Sequence, residues 1–300
     1  MRIRTSSLER RSNVRETRAK LFLMMEGTDT EPLYFKEFFA GREDVEYLPF
    51  ERDAQELGWS NPRLLMNDLK LELGCEITEL SYGDFMPFLI RHLKIDNPTL
   101  DISLFKRKFN DCLHQKRCNL KEFCSKETIE EIFKDLKNTS FIGLFYEGLG
   151  DVLCDFSNLI GGDYSFDAGI DRIALIVDRD WHSFSESQFD AVLRDGEENH
   201  VEVYVTNPCF EFFLALHLST LEGIDKEALL KNEKSGDYTF AHLELLRHDP
   251  NFEKAKYDVQ RYVASCQTAI SNLSHYEQDL KRLKNHVGSN LASLLQKYLS

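Results

Sequence analysis

Short apolar runs and one helical stretch organise the first fifty positions of the chain. The run LFLMM predicts a strand over 20–25, and VEYLPF predicts a second strand over 45–50. Between them, Thr28 and Glu31 stand at the spacing of a capping box, so a helix is expected from Asp29 to Ala40. A strand, a helix and a strand in this order are typical of the opening of a parallel α/β unit.

Helical periodicity dominates the next part of the chain, from about Trp59 to Leu136. One predicted helix shows it most clearly, because its apolar residues share one face while acidic and basic residues occupy the other. These apolar residues are Ile129, Ile132, Phe133 and Leu136. The pattern predicts a helical insertion within the α/β domain, whereas residues 141–170 favour no particular element.

The β pattern returns at 172–180, where RIALIVDRD contains an almost wholly apolar run rich in branched residues. Such a run is typical of a central parallel strand that is covered on both faces. A helix is expected near 186–198, followed by a strand at 201–206. In the next segment, NPCFEFFLALHL, Asn207 is expected to cap a helix and Pro208 to occupy its first position.

The remainder of the chain after Leu221 is expected to be helical. Its pattern predicts one long amphipathic helix from Phe252 to Lys284 and a short last helix after Gly288. Five regions result, namely a basic N-terminal arm (1–19), a first α/β part (20–58), a mainly helical insertion (59–170), a second α/β part (171–220) and a helical C-terminal region (221–300).

Charge is distributed unevenly along the 300 residues, whose formal net charge is −14. The first twenty residues nevertheless carry seven basic and two acidic side chains, so this arm either contacts phosphates or is simply solvated. An acidic body with a basic arm suits an enzyme that contacts a small part of a polyanion, or a subunit that docks on a basic protein. No apolar run approaches the length of a membrane span, and seven scattered cysteines favour reduced thiols, so a cytoplasmic location is expected.

Acidic residues follow two of the predicted strands. Glu26 comes directly after the first strand, and Asp178 and Asp180 close the strand at 172–180. Because the carboxyl ends of parallel strands lie at one edge of a sheet, these carboxylates are expected to converge there. Crowded carboxylates repel one another, and Mg²⁺ or Mn²⁺ relieves that repulsion and can orient a phosphodiester.

A glutamate after the first strand and a DxD motif after a later one resemble the Toprim signature, which topoisomerases, primases and several nucleases share. More closely, EGTDTEPLYF, IVDRD and NPCFEFFLALHL resemble the RloB-like, Toprim-type proteins of bacterial phage defence. The large helical insertion and the overall length are most similar to the AriB-type nuclease subunits of the two-gene PARIS system.

This resemblance implies a Toprim-like α/β fold and a metal-dependent nuclease that acts on transfer RNA. It also implies an ABC-type ATPase partner (AriA-like), which senses a phage protein and restrains the nuclease until release. Glu26 takes the role of the catalytic acid, Asp178 and Asp180 that of the metal pair, and Glu211 that of a further acid near the site. The chain lacks a GxxxxGK[ST] loop, so ATP-driven sensing falls to the partner. The released nuclease is expected to be a homodimer, and no membrane is implied.

Two further residues are candidates for contact with the substrate. Lys256 could neutralise a phosphate, although a lysine on a solvated helix face is the alternative, and Asn207 could line the site beside the end of its strand. Three other interpretations of the chain stay open. These are an inert Toprim adaptor that docks on the ATPase, a DNA-cleaving Toprim nuclease, and RNA cleavage through a ribose 2′-hydroxyl without a metal.

Overall fold

The computed structural model describes most of the α/β region, part of the insertion and nearly all of the C-terminal region. It covers residues 19–27, 29–48, 80–96, 101–138, 169–182 and 184–299, together with positions 62, 65, 66, 69 and 78. Nearly all of the predicted basic arm, the capping residue Thr28, most of the segment 49–79 and all of the segment 139–168 therefore lie outside the described residues. No helix in these ranges is long and apolar enough to cross a membrane.

A five-stranded sheet forms the centre of the α/β region. Its strands are β1 (Leu21–Met25), β2 (Val45–Leu48), β3 (Arg172–Asp178), β4 (Val201–Asn207) and β7 (Gly288–Ser289), in the spatial order β2-β1-β3-β4-β7. The first four run parallel, and only β7 is antiparallel to its neighbour β4. The predicted fold class, a mostly parallel sheet flanked by helices, is confirmed.

The helices and the two short remaining strands complete the described elements. In the α/β region these are α1 (Thr30–Phe38), α5 (Glu186–Glu198) and α6 (Phe210–Leu216). The insertion contains α2 (Tyr82–Asp96), α3 (Ile102–Gln115) and α4 (Lys126–Asn138). The C-terminal region contains α7 (Lys226–Lys231), β5 (Lys234–Ser235), β6 (Tyr238–Thr239), α8 (Phe240–His248), α9 (Val259–Ala264), α10 (Cys266–Leu273), a 3₁₀ turn (Arg282–Lys284) and α11 (Leu291–Gln296).

Apolar side chains cover both faces of the sheet, and their alternation along each strand assigns them to one face or the other. Leu23, Ala174 and Ile176 pack with α1, α6 and the C-terminal helices in one core. Phe22 and Leu175 belong to a second core that includes side chains of α5. Burial on both faces explains why the strand sequences are almost continuously apolar.

The described part of the insertion has a hydrophobic core of its own. Leu89, Phe109, Ile129 and Ile132 are buried completely among α2, α3 and α4. The face of α4 that the periodicity predicted is therefore the face that packs against the other two helices, whereas its charged residues remain outside.

One predicted helix is wrong. The segment from Phe252 to Lys284 consists of an irregular stretch, the short helices α9 and α10, another irregular stretch and the 3₁₀ turn. Asp258 caps α9 by accepting a hydrogen bond from the Arg261 N–H (3.3 Å), which starts a new helix at this point. Ser265 ends that helix, since its hydroxyl bonds to a backbone carbonyl of the preceding turn. The predicted short helix after Gly288 is confirmed.

Two predicted caps also differ from the structure. Asn207 is the last residue of β4 rather than a helix cap, since α6 begins only at Phe210, after Cys209. The cap of α1 is Asp29, one residue after Thr28, and its side chain makes no capping hydrogen bond.

Candidate functional site

Two acidic residues meet where β1 and β3 end side by side. Glu26 directly follows β1, and Asp178 is the last residue of β3. The Glu26 N–H donates to the Ile176 carbonyl (3.0 Å), and the Asp178 N–H donates to Glu26 Oε2 (3.0 Å). The carboxylate of Glu26 is 6% exposed and is thereby held against the backbone of the neighbouring strand. The structure brings these two predicted site residues together.

Helix α1 contributes a third carboxylate, that of Glu31. Its side chain is buried in the first turn of α1. Gly27 makes the space for it, since a Cβ at position 27 would lie 1.9 Å from Glu31 Oε2. A glycine after Glu26 therefore leaves the space that the carboxylate of Glu31 occupies. By its spacing, Glu31 was predicted to belong to a capping box, so its contribution to the site was missed.

Helix α6 contributes a fourth carboxylate, that of Glu211, which is 5% exposed. Burial acts to raise its pKa, but hydrogen bonding to His242 and the charge of Lys254 outweigh this effect and lower the pKa below its ordinary value. Lys254 Nζ is paired with Glu211 Oε1, and His242 Nδ1 lies 3.9 Å from the same oxygen. Glu211 therefore carries a stable negative charge inside the protein.

Asp178 has the opposite electrostatic environment. Desolvation raises its pKa well above the ordinary range, and the charges of Glu31, Glu26 and Glu211 raise it further. The backbone N–H of Phe210 is hydrogen-bonded to the Asp178 carboxylate and opposes this effect only in part. These four acids, which we call the acidic cluster, therefore act on one another, with Asp178 at their centre. An additional cation would relieve the repulsion around Asp178.

A loop of the C-terminal region, residues 249–258, covers part of the acidic cluster. The Tyr257 hydroxyl donates to the Thr30 carbonyl (2.8 Å), and the Thr30 hydroxyl donates to the Lys254 carbonyl (3.4 Å). Burial raises the pKa of Tyr257, and the nearby charge of Glu31 raises it further. This loop therefore connects the first turn of α1 to the lysine that contacts Glu211.

The lysine predicted to contact substrate is not the one beside the acidic cluster. Lys256 is exposed in loop 249–258, whereas Lys254, two residues earlier, forms the ion pair with Glu211. The sequence analysis expected Lys256 on a long helix. Because that helix does not form, the side chains of this segment follow the loop instead of helical spacing.

The two residues after Asp178 point in different directions. Asp180 Oδ1 accepts a hydrogen bond from the His182 N–H (3.0 Å), within its own loop. Arg179 points away from the acidic cluster, and its guanidinium lies 5.6 Å from the ring centroid of Phe184 in the second core. Trp181, which is 45% exposed, lies near the same guanidinium, with 5.1 Å between the guanidinium and the indole ring.

Asn207, the other predicted substrate-binding residue, is fully buried at the end of β4. Its Nδ2 donates to the Leu283 carbonyl in the 3₁₀ turn, whereas its Oδ1 has no partner among the described residues. The turn contributes Leu283 to the second core, on the opposite side of the sheet from α6. In this structure Asn207 connects β4 to the C-terminal region.

The acidic cluster offers only carboxylate oxygens, which are the ligands that Mg²⁺ and Mn²⁺ prefer. Burial raises the pKa of Asp178, and the negative charges of Glu31, Glu26 and Glu211 raise it further. The donor chemistry therefore fits such an ion. In the present side-chain arrangement, no group of three or more His, Cys, Asp or Glu residues within the described ranges is placed to hold a metal. The carboxylates would have to turn toward a common ion.

Comparison with known proteins identifies the family. A family model described as RloB-like protein matches residues 21–297, a span that contains β1, the acidic cluster and loop 249–258. No curated protein and no solved structure gave a match. Since the model matches almost the whole chain, the chain belongs to the family of RloB-like proteins.

Proposed function

We propose that this RloB-like protein is a divalent-cation-dependent nuclease that cleaves RNA. The observation that carries the proposal is the acidic cluster at the carboxyl ends of β1 and β3, where burial and the charges of the three other carboxylates raise the pKa of Asp178. In open α/β sheets this edge is where ligands bind. Strongly perturbed carboxylates at such an edge are typical of functional sites.

The acids and Lys254 have distinct roles in the proposal. Asp178, with Glu31 and Asp180, holds Mg²⁺ or Mn²⁺, which when bound would supply charge neutralisation at the phosphodiester and increase the acidity of water. Glu26 accepts a proton from the attacking water, because the Asp178 N–H orients its carboxylate at the sheet edge. Lys254, anchored by Glu211, stabilises the negative charge that develops on the phosphate oxygens.

Substrate and cellular role come from the resemblance to AriB-type Toprim nucleases. On that basis we propose transfer RNA as the substrate and bacterial defence against phages as the setting. The proposal includes restraint by an AriA-like ABC-type ATPase sensor and activity as a homodimer after release. The acidic body of the chain, with a net charge of −14, favours a substrate contact restricted to a few cationic patches.

A cleavage assay with purified full-length protein tests the proposal. Total tRNA and plasmid DNA are incubated separately with the protein and Mg²⁺, with and without EDTA. We expect cleavage of tRNA that EDTA abolishes. In Glu26→Gln and Asp178→Asn the rate is expected to fall at least about 100-fold, the usual contribution of a general acid or base. Glu222→Gln, at an exposed glutamate, is the matched control and should cleave normally.

Each alternative has its own outcome in this assay. Cleavage of plasmid but not of tRNA would identify a DNA nuclease, and cleavage that persists in EDTA would support attack by a ribose 2′-hydroxyl. No cleavage of either substrate would favour the inert adaptor. Wild-type activity in Glu26→Gln would remove the catalytic role from that residue.

The two lysines of loop 249–258 can be compared directly. Lys254→Gln is expected to lower tRNA cleavage about tenfold, because a charge-assisted contact beside the acidic cluster is lost. Lys256→Gln, the same change two residues away at an exposed position, should leave the rate unaltered. Equal effects of the two substitutions would contradict the placement of Lys254 at the site.

A further inference from the structure

The strongest local excess of basic residues among the described residues is found on the insertion, in a segment that contains none of the residues of the acidic cluster. Between Lys106 and Lys126 the chain carries seven lysine and arginine residues and only two acidic residues. The whole chain has a net charge of −14, so this segment reverses the local sign. It consists of most of α3, the loop 116–125 and the first residue of α4. A segment of this kind favours contact with a polyanion.

A pocket of about 550 Å³ opens on this segment. Its lining combines apolar groups with amide, imidazole and ammonium groups, and includes Asn110, Leu113, His114, Cys118, Leu120 and Lys121. The volume falls within the range of small-ligand sites, which are mostly apolar with a few polar groups that fix orientation. A flat aromatic ring with hydrogen-bonding edges matches this combination better than a purely apolar ligand does.

Helix α3 places a cation and two polar residues of the pocket lining on one of its faces. Arg107, Asn110 and His114 are spaced three and four residues apart, so they share one face of α3. Lys121 also lines the pocket, from the loop, where its N–H donates to Asn119 Oδ1 (2.9 Å). Positive charge is therefore placed in the pocket lining by Lys121, and on the face of α3 that carries Asn110 and His114 by Arg107.

Cations of this segment differ in what they already contact. Lys116 is held by Glu131 (2.9 Å) and Asp135 (3.0 Å), and so joins the loop to α4. Arg107 and Lys121 form no ion pair with any of the described residues. Both side chains are exposed and can neutralise the charge of a bound polyanion.

We propose that this pocket binds an unpaired nucleotide of RNA, with its base in the pocket and adjoining phosphates between Arg107 and Lys121. This inference rests on the proposed function for its choice of RNA as the polyanion, and it assigns recognition to a surface separate from the acidic cluster. An acidic protein segment would also be attracted by the charge. The pocket, whose lining combines apolar groups with amide and imidazole groups, favours a base, because bases offer flat apolar faces and polar edges. Phe123, which is 71% exposed in the same loop, adds a surface on which a neighbouring base can stack.

Binding is tested with the full chain carrying Asp178→Asn, so that the probe stays intact. The probes are a fluorescently labelled RNA hairpin with an unpaired loop and a fully paired RNA duplex of the same length. We expect the hairpin to bind more tightly than the duplex. Arg107→Gln with Lys121→Gln should weaken hairpin binding about tenfold and reduce the slope of log affinity against log salt by about 1.4, the value for two phosphate contacts on a single strand. Lys134→Gln, an exposed lysine on α4 outside the pocket, is the matched control.

A second variant tests the pocket itself. Asn110→Trp fills the pocket from the half-exposed face of α3 and should remove the preference for the hairpin over the duplex, while circular dichroism shows an unchanged fold. Unaltered hairpin affinity in both variants would overturn the inference, and so would binding of an acidic peptide in place of RNA.

The outcome for this surface is separable from the outcome for the acidic cluster. If the pocket variants lose hairpin binding and the wild type does not cleave RNA, the proposed RNA-binding pocket is supported and the proposed nuclease activity is refuted. If those variants bind the hairpin normally and cleavage requires Asp178, the proposed RNA-binding pocket is refuted and the proposed nuclease activity is supported.

Discussion

The buried histidine His217 joins the two helices that carry Glu31 and Glu211. It is 3% exposed at the end of α6, where its Nδ1 is hydrogen-bonded to the Phe213 carbonyl (3.0 Å). Nδ1 therefore carries the hydrogen, and Nε2 accepts from the hydroxyl of Tyr34 on α1 (2.9 Å). This arrangement requires a neutral ring. Replacing or protonating His217 is thus expected to weaken the contact between the two helices.

Protonation of His217 should make stability depend on pH in a defined window. Burial lowers its pKa to about 4, and hydrogen bonds to the Phe213 and Leu214 backbone offset this only in part. An unfolded histidine has a pKa of about 6.5, so the unfolded chain binds the proton more tightly between these values. The contribution of neutral His217 to stability is therefore complete above about pH 6.5 and declines as the pH falls toward 4. Over this whole window the free energy of unfolding falls by about 3 kcal/mol, and about 2 kcal/mol of that fall is reached by pH 5.

Urea unfolding followed by circular dichroism at pH 7 and pH 5 measures this contribution. The free energy of unfolding of the wild type should fall by about 2 kcal/mol more than that of His217→Gln between the two values of pH. At pH 7 the variant should be less stable by about 1–3 kcal/mol, because the Tyr34 hydroxyl loses its buried acceptor. His275→Gln, at an exposed histidine, should behave like the wild type. An equal pH dependence in His217→Gln would refute the reasoning.

Two further substitutions test contacts around the sheet. Gly27→Ala is expected to lower tRNA cleavage at least tenfold without loss of fold, because its Cβ would displace the carboxylate of Glu31; normal cleavage would show that Glu31 is dispensable. Arg172→Gln removes two hydrogen bonds to Glu202 (2.6 and 2.7 Å). Burial acts to raise the pKa of Glu202, but Arg172 and other partners outweigh this effect and lower the pKa to about 2. This pair stabilises the fold fully above about pH 4.5 and progressively less as the pH falls toward 2. In urea unfolding, the free energy of unfolding of the variant should therefore be lower by about 1–2 kcal/mol at pH 7, after allowance for solvent screening, and almost unchanged at pH 2. An equal loss at both values of pH would contradict this account.

The sheet was predictable because its evidence is local. The apolar runs of β1 and β3 are buried on both faces, and the helix expected at 186–198 has those bounds in the structure. Acids at the ends of β1 and β3 meet because parallel strands end at one edge, which requires only the strand direction. These features follow from residues that are close together in the sequence.

The parts that were missed depend on contacts between distant segments. Glu31 is a plausible capping residue by its spacing, and its place in the acidic cluster emerges only when α1 packs beside the end of β3. Lys254 reaches Glu211 across more than forty residues, through a loop that the amphipathic pattern of 252–284 did not distinguish from a helix. Periodicity records which side chains are buried, but breaks such as the one at Ser265 depend on local hydrogen bonds as well.

Binding of Mn²⁺ by the purified protein, followed by electron paramagnetic resonance, tests the central claim most directly, because it requires no substrate. The account predicts that the wild type binds Mn²⁺ saturably, that Mg²⁺ displaces it, and that the ion raises the unfolding temperature. Asp178→Asn should lose this binding, while Glu222→Gln should retain it. Equal Mn²⁺ binding by the wild type and Asp178→Asn would contradict the claim that the acidic cluster around Asp178 is a divalent-cation site.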